Sequence, residues 1–345
     1  MLKGRRFWVG LVVTLFFLAL FFYQVDFAEM GRALQGANYL FLLPAIALYF
    51  LTMGFRTLRW RYLLDPLGHV SVRRLFPVMA IGYTANNTLP LRLGELVRVY
   101  FLGQREGLSK ASALATIAVE RIFDGLVLLL MLAAVSLYLP LAGWIGDTAR
   151  IMAAFFIGAL VSAFAIASSR KLTERMVATI LRLVPGRARG KLLEISGLFL
   201  EGLRVLHRPD KLLLVFLTTC LVWLAEAGVF YLVGFSFNLD LPVEVWLLTT
   251  STSSLAISLP SSQGGIGPFE FFCARTLALF GVSLATANAY AIVLHAVLLV
   301  PFSLLGFYYL WVEGLSLGEA LGQPRRGGGA GSKSTGIPLE RHGDH

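Results

Sequence analysis

The chain is expected to be an all-α polytopic membrane protein, and three observations predict it. Of the 345 residues, 57% are hydrophobic and only 14% are Asp, Glu, Lys or Arg, against roughly 45–50% and about 25% in soluble domains. Mean hydropathy is +0.73. The apolar residues also gather into runs of spanning length instead of spreading along the chain. A soluble two-domain protein and a disordered chain are both excluded, because apolar surface is too abundant for either.

The elements follow in order. A helix crossing a hydrocarbon core of ~30 Å needs about 20 apolar residues. Runs 7–24, 39–59, 111–139, 150–168, 211–235 and 285–312 qualify as full spans. The first, preceded by Lys3, Arg5 and Arg6, has no small-x-small cleavage site before Asp26, so it is expected to be retained as a span. Two shorter runs, 76–89 and 245–259, stop at Pro90 and Pro260. At about 15 residues each they reach only ~22 Å.

Loop charges set the orientation. Loop 56–74 carries five Arg against one acid, and loop 169–211 carries ten Lys or Arg against four acids. Segments 25–38 and 236–245 together hold one Arg against four acids. The positive-inside rule then places both termini and both basic loops in the cytoplasm of a cell inner membrane. Every loop keeps its preferred side only if 76–89 enters and turns back, and 245–284 does so from the opposite face. Six full spans plus two re-entrant helical hairpins are expected; eight full spans is the alternative. The net charge of +10 thus suits anionic headgroups rather than nucleic acid.

A repeat links the hairpins. Leu89-Pro90-x3-Gly94 recurs as Leu259-Pro260-x3-Gly264, an offset of 170 that also lays 39–59 onto 209–229 and 117–139 onto 287–309. Residues 1–315 therefore form one membrane domain, with repeats at about 39–139 and 209–312 of inverted topology. Between them, 169–210 carries Leu192, Ile195, Phe199, Leu203 and Leu206, the spacing of an amphipathic cytoplasmic helix. Residues 316–345, with three consecutive glycines at 327–329, are expected to form a disordered tail.

Paired Pro/Gly-broken segments at matching positions point to a transport site near the bilayer midplane. Backbone that leaves helical geometry at that depth must be buried or line a wet cavity. Asn87, Pro90 and Gly94 suit one tip; Pro260, Gly264, Gly265 and Gly267 suit the other. The half-helices beyond them present free N–H groups to an anion, unless the polar turns merely cap the hairpins. Arg92, Glu95 and Arg98 lie beside the first tip, with Glu95 expected near both arginines. Arginine grips phosphate with paired hydrogen bonds.

Glu120, Arg121 and Asp124 fall inside a long apolar run. Ionisable groups at that depth are costly and mark functional sites by default, although a purely structural ion network has the same signature. In the second half, Glu226, Glu270 and His295 are also intramembrane, and the shift of 170 lays Glu226 on Arg56. Cys220 and Cys273 support neither a disulfide framework nor a metal site. No metal, cofactor or catalytic domain is expected.

The motifs Asn87-x-Leu89-Pro90-x-Arg92-x-Gly94-Glu95-x-x-Arg98, Glu120-Arg121-x-x-Asp124 and Pro260-x3-Gly264-Gly265-Ile266-Gly267-x-x-Glu270 resemble the lysylphosphatidylglycerol synthase membrane-region family, also called the flippase-like domain family. The resemblance spans about residues 5–315. It implies a membrane region that moves an aminoacylated phospholipid between leaflets, with Arg92, Glu95, Arg98, Glu120, Arg121, Asp124 and Glu270 as pocket residues. It does not imply synthase activity, which belongs to a separate cytosolic domain. Inner-membrane translocation of an anionic or zwitterionic phospholipid, or of a lipid-linked headgroup, is the leading expectation. An enzyme transferring a group to a lipid carrier, and an accessory subunit beside a lipid-synthesis enzyme, are the alternatives.

Overall fold

The computed structural model describes residues 5–23, 25–89, 93–139, 186–257 and 263–312, with scattered positions between 147 and 165. The expected span 150–168 lies largely outside the described residues, as do 169–185 of the linker and the tail from 313. Eleven α-helices and no strand occur among the described residues. They are α1 (Arg5–Phe22), α2 (Phe27–Gly36), α3 (Leu42–Leu64), α4 (Val72–Thr88), α5 (Gly94–Glu106) and α6 (Lys110–Ser136), then α7 (Gly186–Gly202), α8 (Pro209–Ser236), α9 (Val243–Ala256), α10 (Pro268–Ala278) and α11 (Leu284–Val312).

Among the described residues, three helical segments are long and apolar enough to cross a membrane: Tyr39–Leu64, Pro209–Ser236 and Leu284–Val312. A fourth candidate is α1 with α2, which meet at a bend of 86° after Phe22. Of the six expected spans, three or four thus qualify by length and apolarity among the described residues, and 150–168 lies largely outside them. α6 has 27 residues, but Glu120, Arg121 and Asp124 interrupt its apolar character. Its core-facing side buries Glu120 and Asp124 while Leu130 and Leu114 remain exposed.

Lipid-facing surfaces are legible as stripes. On α8, Leu213, Leu217, Leu221 and Leu224 are exposed, and on α11 Val300, Leu304, Phe307 and Trp311 are exposed. Spacings of three and four keep each set on one helical face. In a soluble protein these faces would be unstable; in acyl chains they are solvated.

Adding 170 to the bounds of α3 gives 212–234, inside α8; α4 gives 242–258, around α9; α5 gives 264–276, over α10; α6 gives 280–306, over α11. The equivalent helices α3 and α8 pack side by side and run antiparallel. Asp65 after α3 pairs with Lys211 at the start of α8 at 2.9 Å, and Asn38 N–H before α3 donates to the Ser236 carbonyl at 2.7 Å. The packing also exchanges. α4 lies against α11, and its equivalent α9 lies against α6.

The short helices pack as two pairs, α4 with α5 and α9 with α10. Glycine permits the first pairing. A Cβ on Gly82 would overlap the Arg98 side chain, and one on Gly94 would overlap the Gly82 carbonyl oxygen. The linker helix α7 continues into a 3₁₀ turn, Leu203–His207. Leu203 and Leu206 are buried, whereas Ile195 is exposed. The Ser112 hydroxyl donates to the Leu198 carbonyl at 2.7 Å, so this helix is fastened to the start of α6. The side chain of Leu192 lies outside the described residues.

Candidate functional site

The charged centre is built where α3, α5, α6 and α8 meet. Glu120 of α6 is fully buried and is surrounded by guanidinium groups. Arg59 of α3 lies 3.0 Å away, Arg98 of α5 donates at 3.0 and 3.3 Å, and Arg121 donates at 2.5 Å. Asp124, one turn along, receives Arg59 at 2.5 Å, Arg121 at 3.5 Å and the Trp223 indole N–H at 3.0 Å. Arg59 therefore bridges two carboxylates with its fork, a geometry open to Arg and not to Lys. Its position is fixed further by Thr219 at 3.3 Å.

Aromatic faces replace part of the water these cations lose. Arg98 lies over the Trp60 ring at 4.2 Å, and Trp60 is itself held by Thr116 at 3.2 Å. Arg56 lies over Trp223 at 5.0 Å, pairs with Glu226 at 2.5 Å and donates to the Tyr83 hydroxyl at 3.3 Å. Such cation–π contacts are worth about 2 kcal/mol when desolvated.

Charge alone places Arg56 and Arg59 in a cytoplasmic loop beginning at 56. The structure instead carries α3 through to Leu64 and buries both side chains. The available signal was their spacing of three on the face continuing from the apolar run, together with the offset of 170 between Arg56 and Glu226. A charge count alone cannot register that a guanidinium is matched by a distant carboxylate.

Glu95 and Arg98 do not pair as expected. Arg98 turns inward to Glu120, while Glu95 stands at the rim, 3.8 Å from Arg121 Nε. The Arg121 side chain is 34% exposed, which makes it the guanidinium of this centre that opens outward. Four guanidiniums thus face three buried carboxylates, with Glu95 at the edge. Among the described residues, the Nε–H groups of Arg56, Arg59, Arg98 and Arg121 find no acceptor.

The hairpin tips meet beside this centre. Asn87, at the end of α4, donates to the Ser303 hydroxyl of α11 at 2.8 Å. The Asn86 side chain accepts the Gly94 N–H at 2.8 Å, closing the first tip. The second tip has Gly264, Gly265 and Gly267 at φ of 64°, 82° and 99°, a left-handed stretch suited to glycine. A Cβ built on Gly264 would stand 3.9 Å from the Asn87 Cα, so the two tips adjoin. Pro90, Arg92 and Pro260 lie outside the described residues.

Glu270 does not join the arginine centre. It opens α10, accepts the Gly267 N–H at 2.7 Å and pairs with His295 at 2.5 Å. The sixteen candidate positions therefore resolve into one arginine–carboxylate centre, one glycine-tip group around Glu270 and His295, Asn87 and Gly94 at the first tip, and the three positions not described. Among the described residues, no three His, Cys, Asp or Glu side chains are grouped to hold a metal ion.

With this geometry in hand, comparison with known proteins is informative. The family model for the lysylphosphatidylglycerol synthase TM region matches residues 7–306, and the chain belongs to that family. A UPF0104 membrane protein of Methanothermobacter thermautotrophicus is 27% identical over 321 residues, covering 85% of this chain and 91% of the relative. Glycosyltransferase AglD of Haloferax volcanii is 27% identical over 319 residues, covering 84% of this chain and 51% of that protein. The chain spans about half the length of that glycosyltransferase. Family and apolar helices together make this an integral membrane protein.

Proposed function

We propose that this member of the lysylphosphatidylglycerol synthase membrane-region family moves a phospholipid or lipid-linked headgroup between the leaflets of the cell membrane. The α4/α5 and α9/α10 pairs act as re-entrant hairpins from opposite faces, within inverted repeats. The antiparallel packing of α3 on α8 and the exchanged packing of α4 and α9 support that topology. α4, α5, α9 and α10 have 17, 13, 14 and 11 residues, each short of the ~20 residues a full crossing needs.

One observation carries the proposal: three buried arginines and the rim Arg121 stand around three buried carboxylates, an excess of guanidinium with spare N–H donors beside two adjoining helix tips. A phosphate is the anion whose oxygens match guanidinium forks. Arg121, opening to the rim, makes the first contact, and Glu95 balances it or receives an amine. The lipid tails stay among acyl chains while the headgroup passes the tips, and rocking of one repeat against the other alternates its access.

The test is translocation of nitrobenzoxadiazole-labelled phosphatidylglycerol in reconstituted vesicles, read by dithionite quenching. Arg121→Gln, at the rim, is expected to slow it at least about tenfold, the loss of roughly 1.4 kcal/mol, while the variant remains monodisperse. An unchanged rate in Arg121→Gln and in Glu95→Gln overturns this pocket.

The glycosyltransferase relative raises a second reading, group transfer to a lipid carrier. The geometry argues against it. Glu120 and Asp124 are engaged by guanidiniums, which suits neither a general base nor a metal ligand. Product formation by the purified chain from a lipid-linked acceptor would favour it. An accessory role beside a lipid-synthesis enzyme predicts instead that pocket variants are silent and α7 variants are not.

A further inference from the structure

Glu270 and His295 lie outside the arginine centre, and their hydrogen bonds fix how many protons they share. His295 is buried and stacks on Phe269 with ring centroids 4.3 Å apart. Its Nε2 lies 3.1 Å from the Gly264 carbonyl oxygen, and its Nδ1 lies 2.5 Å from Glu270 Oε1. A carbonyl oxygen only accepts, so Nε2 carries a hydrogen and donates. Nδ1 and Oε1 must then have a proton between them. A neutral ring with a bare Nδ1 would oppose its lone pair to an ionised carboxylate at 2.5 Å. The pair therefore holds one proton more than neutral histidine with ionised glutamate, whichever atom carries it.

That proton fastens a segment of irregular backbone. Gly264 is tied through Nε2, and Gly267 is tied through the second carboxylate oxygen at 2.7 Å. The stretch between lacks regular helical geometry, with three glycines at positive φ. Among the described residues, the Thr14 hydroxyl of α1 also anchors it, donating to the Ile266 carbonyl at 3.1 Å.

We propose that Glu270 and His295 form a proton-binding site that latches the second hairpin tip, holding it while the shared proton is present and releasing it when the proton leaves. With the proton the pair is net neutral. Without it, the ring's one remaining hydrogen goes to Nδ1 to meet the ionised carboxylate, which leaves the Nε2 lone pair against the Gly264 carbonyl oxygen, and the link to Gly264 is lost. A role for this proton as the coupling ion of lipid movement rests on the function proposed above; the latch itself does not.

The surroundings leave the proton in control. α10 itself contributes Cys273, one turn on and buried, while Arg275 points to the Leu20 carbonyl at 3.5 Å. α9 presents Thr252, in contact with Thr276 at 2.9 Å, and buried Ser253. α1 presents Thr14, and the first tip presents Asn87. Among the described residues, His295 is the sole cation paired with Glu270.

A nitroxide at Gln263→Cys, in the full chain carrying Cys220→Ala and reconstituted in phosphatidylglycerol-containing vesicles, reads tip mobility by electron paramagnetic resonance. The scan runs from about pH 5 to about pH 9. The unmodified pair is expected to pass from an immobilised to a mobile spectrum in one single-proton transition as pH rises. Glu270→Gln keeps every hydrogen bond, its amide donating to Nδ1, and is expected to stay immobilised throughout. His295→Phe keeps the ring on Phe269 but loses the link, and is expected to stay mobile throughout.

A pH-independent spectrum from the unmodified pair, or the same transition in Glu270→Gln, overturns the latch. Should Glu270→Gln fail to fold, nitrogen-15 spectra of the unmodified ring decide; they are assigned by the signal lost in His295→Phe. An Nδ1 shift that does not move across the scan overturns the proposal. Neither readout uses lipid movement, so the latch and the translocation proposal fail separately.

Discussion

Arg56 and Glu226 stand 170 residues apart in the chain and 2.5 Å apart in space. The separation equals the repeat offset, so equivalent positions on α3 and α8 hold opposite charges and meet where the antiparallel helices cross. Both side chains are buried, and neither is tolerable there alone. Removing one member of a buried pair typically costs about 3–5 kcal/mol, while replacing both with apolar groups is often neutral or better. Glu226→Ala is therefore expected to lower the melting temperature markedly, and Arg56→Met with Glu226→Leu to restore most of it. A double variant melting at or below Glu226→Ala would show that the pair is not the stabilising unit.

Arg59 makes the most demanding use of guanidinium geometry, joining Glu120 and Asp124 with one fork. Lysine keeps the charge and loses one of the two connections. A hydrogen bond to a charged group is worth about 1.5–3 kcal/mol, so Arg59→Lys is expected to slow labelled-lipid movement about tenfold to a hundredfold. Equal rates in Arg59→Lys and the parent would place the functional centre elsewhere.

Close backbone approach in the first hairpin depends on glycine. Gly82→Ala would drive a methyl into the Arg98 side chain, and Gly94→Ala into the Gly82 carbonyl. Overpacking costs typically about 1–3 kcal/mol, and backbone cannot move aside as a side chain can. Both variants are expected to melt earlier and to lose monodispersity. Gly54→Ala meets open space on α3 and serves as the control, expected to melt no earlier than the parent.

At the edge of the spanning region, the Lys211 ammonium 2.9 Å from Asp65 holds that carboxyl below its usual range, chiefly by hydrogen bonding. A carboxyl depressed on folding stabilises above its unfolded pKa, and that stability is lost as pH falls through the folded value. The contribution is therefore expected to be present at neutral pH and to disappear under acid conditions below about pH 4. Carbon-13 titration of Asp65 should move upward in Lys211→Met. An unchanged midpoint would show that the two groups do not couple in solution.

Much of the architecture was legible in the sequence because it depends on local properties. Apolar run length located α3, α8 and α11, proline and glycine located the ends of α4 and α9 and the starts of α5 and α10, and the offset of 170 matched the helix bounds. The candidate centre was legible only in part. Glu120, Arg121 and Asp124 announced themselves as charges in an apolar run. Arg56 and Arg59 did not, since they sit where an apolar run gives way to a basic segment and read equally well as loop. The pairing expected between Glu95 and Arg98 failed because spacing of three offers proximity, while the Trp60 face and the buried Glu120 draw Arg98 inward.

The sequence by itself determined that this chain must live in a membrane and where its short helices begin and end, since hydrophobicity and backbone freedom are written residue by residue. Only the tertiary structure decided which charges neutralise one another. A buried guanidinium takes its partner from whatever carboxylate packing brings within about 3 Å. Here those partners lie 22, 65 and 170 residues away, distances over which no local pattern carries information.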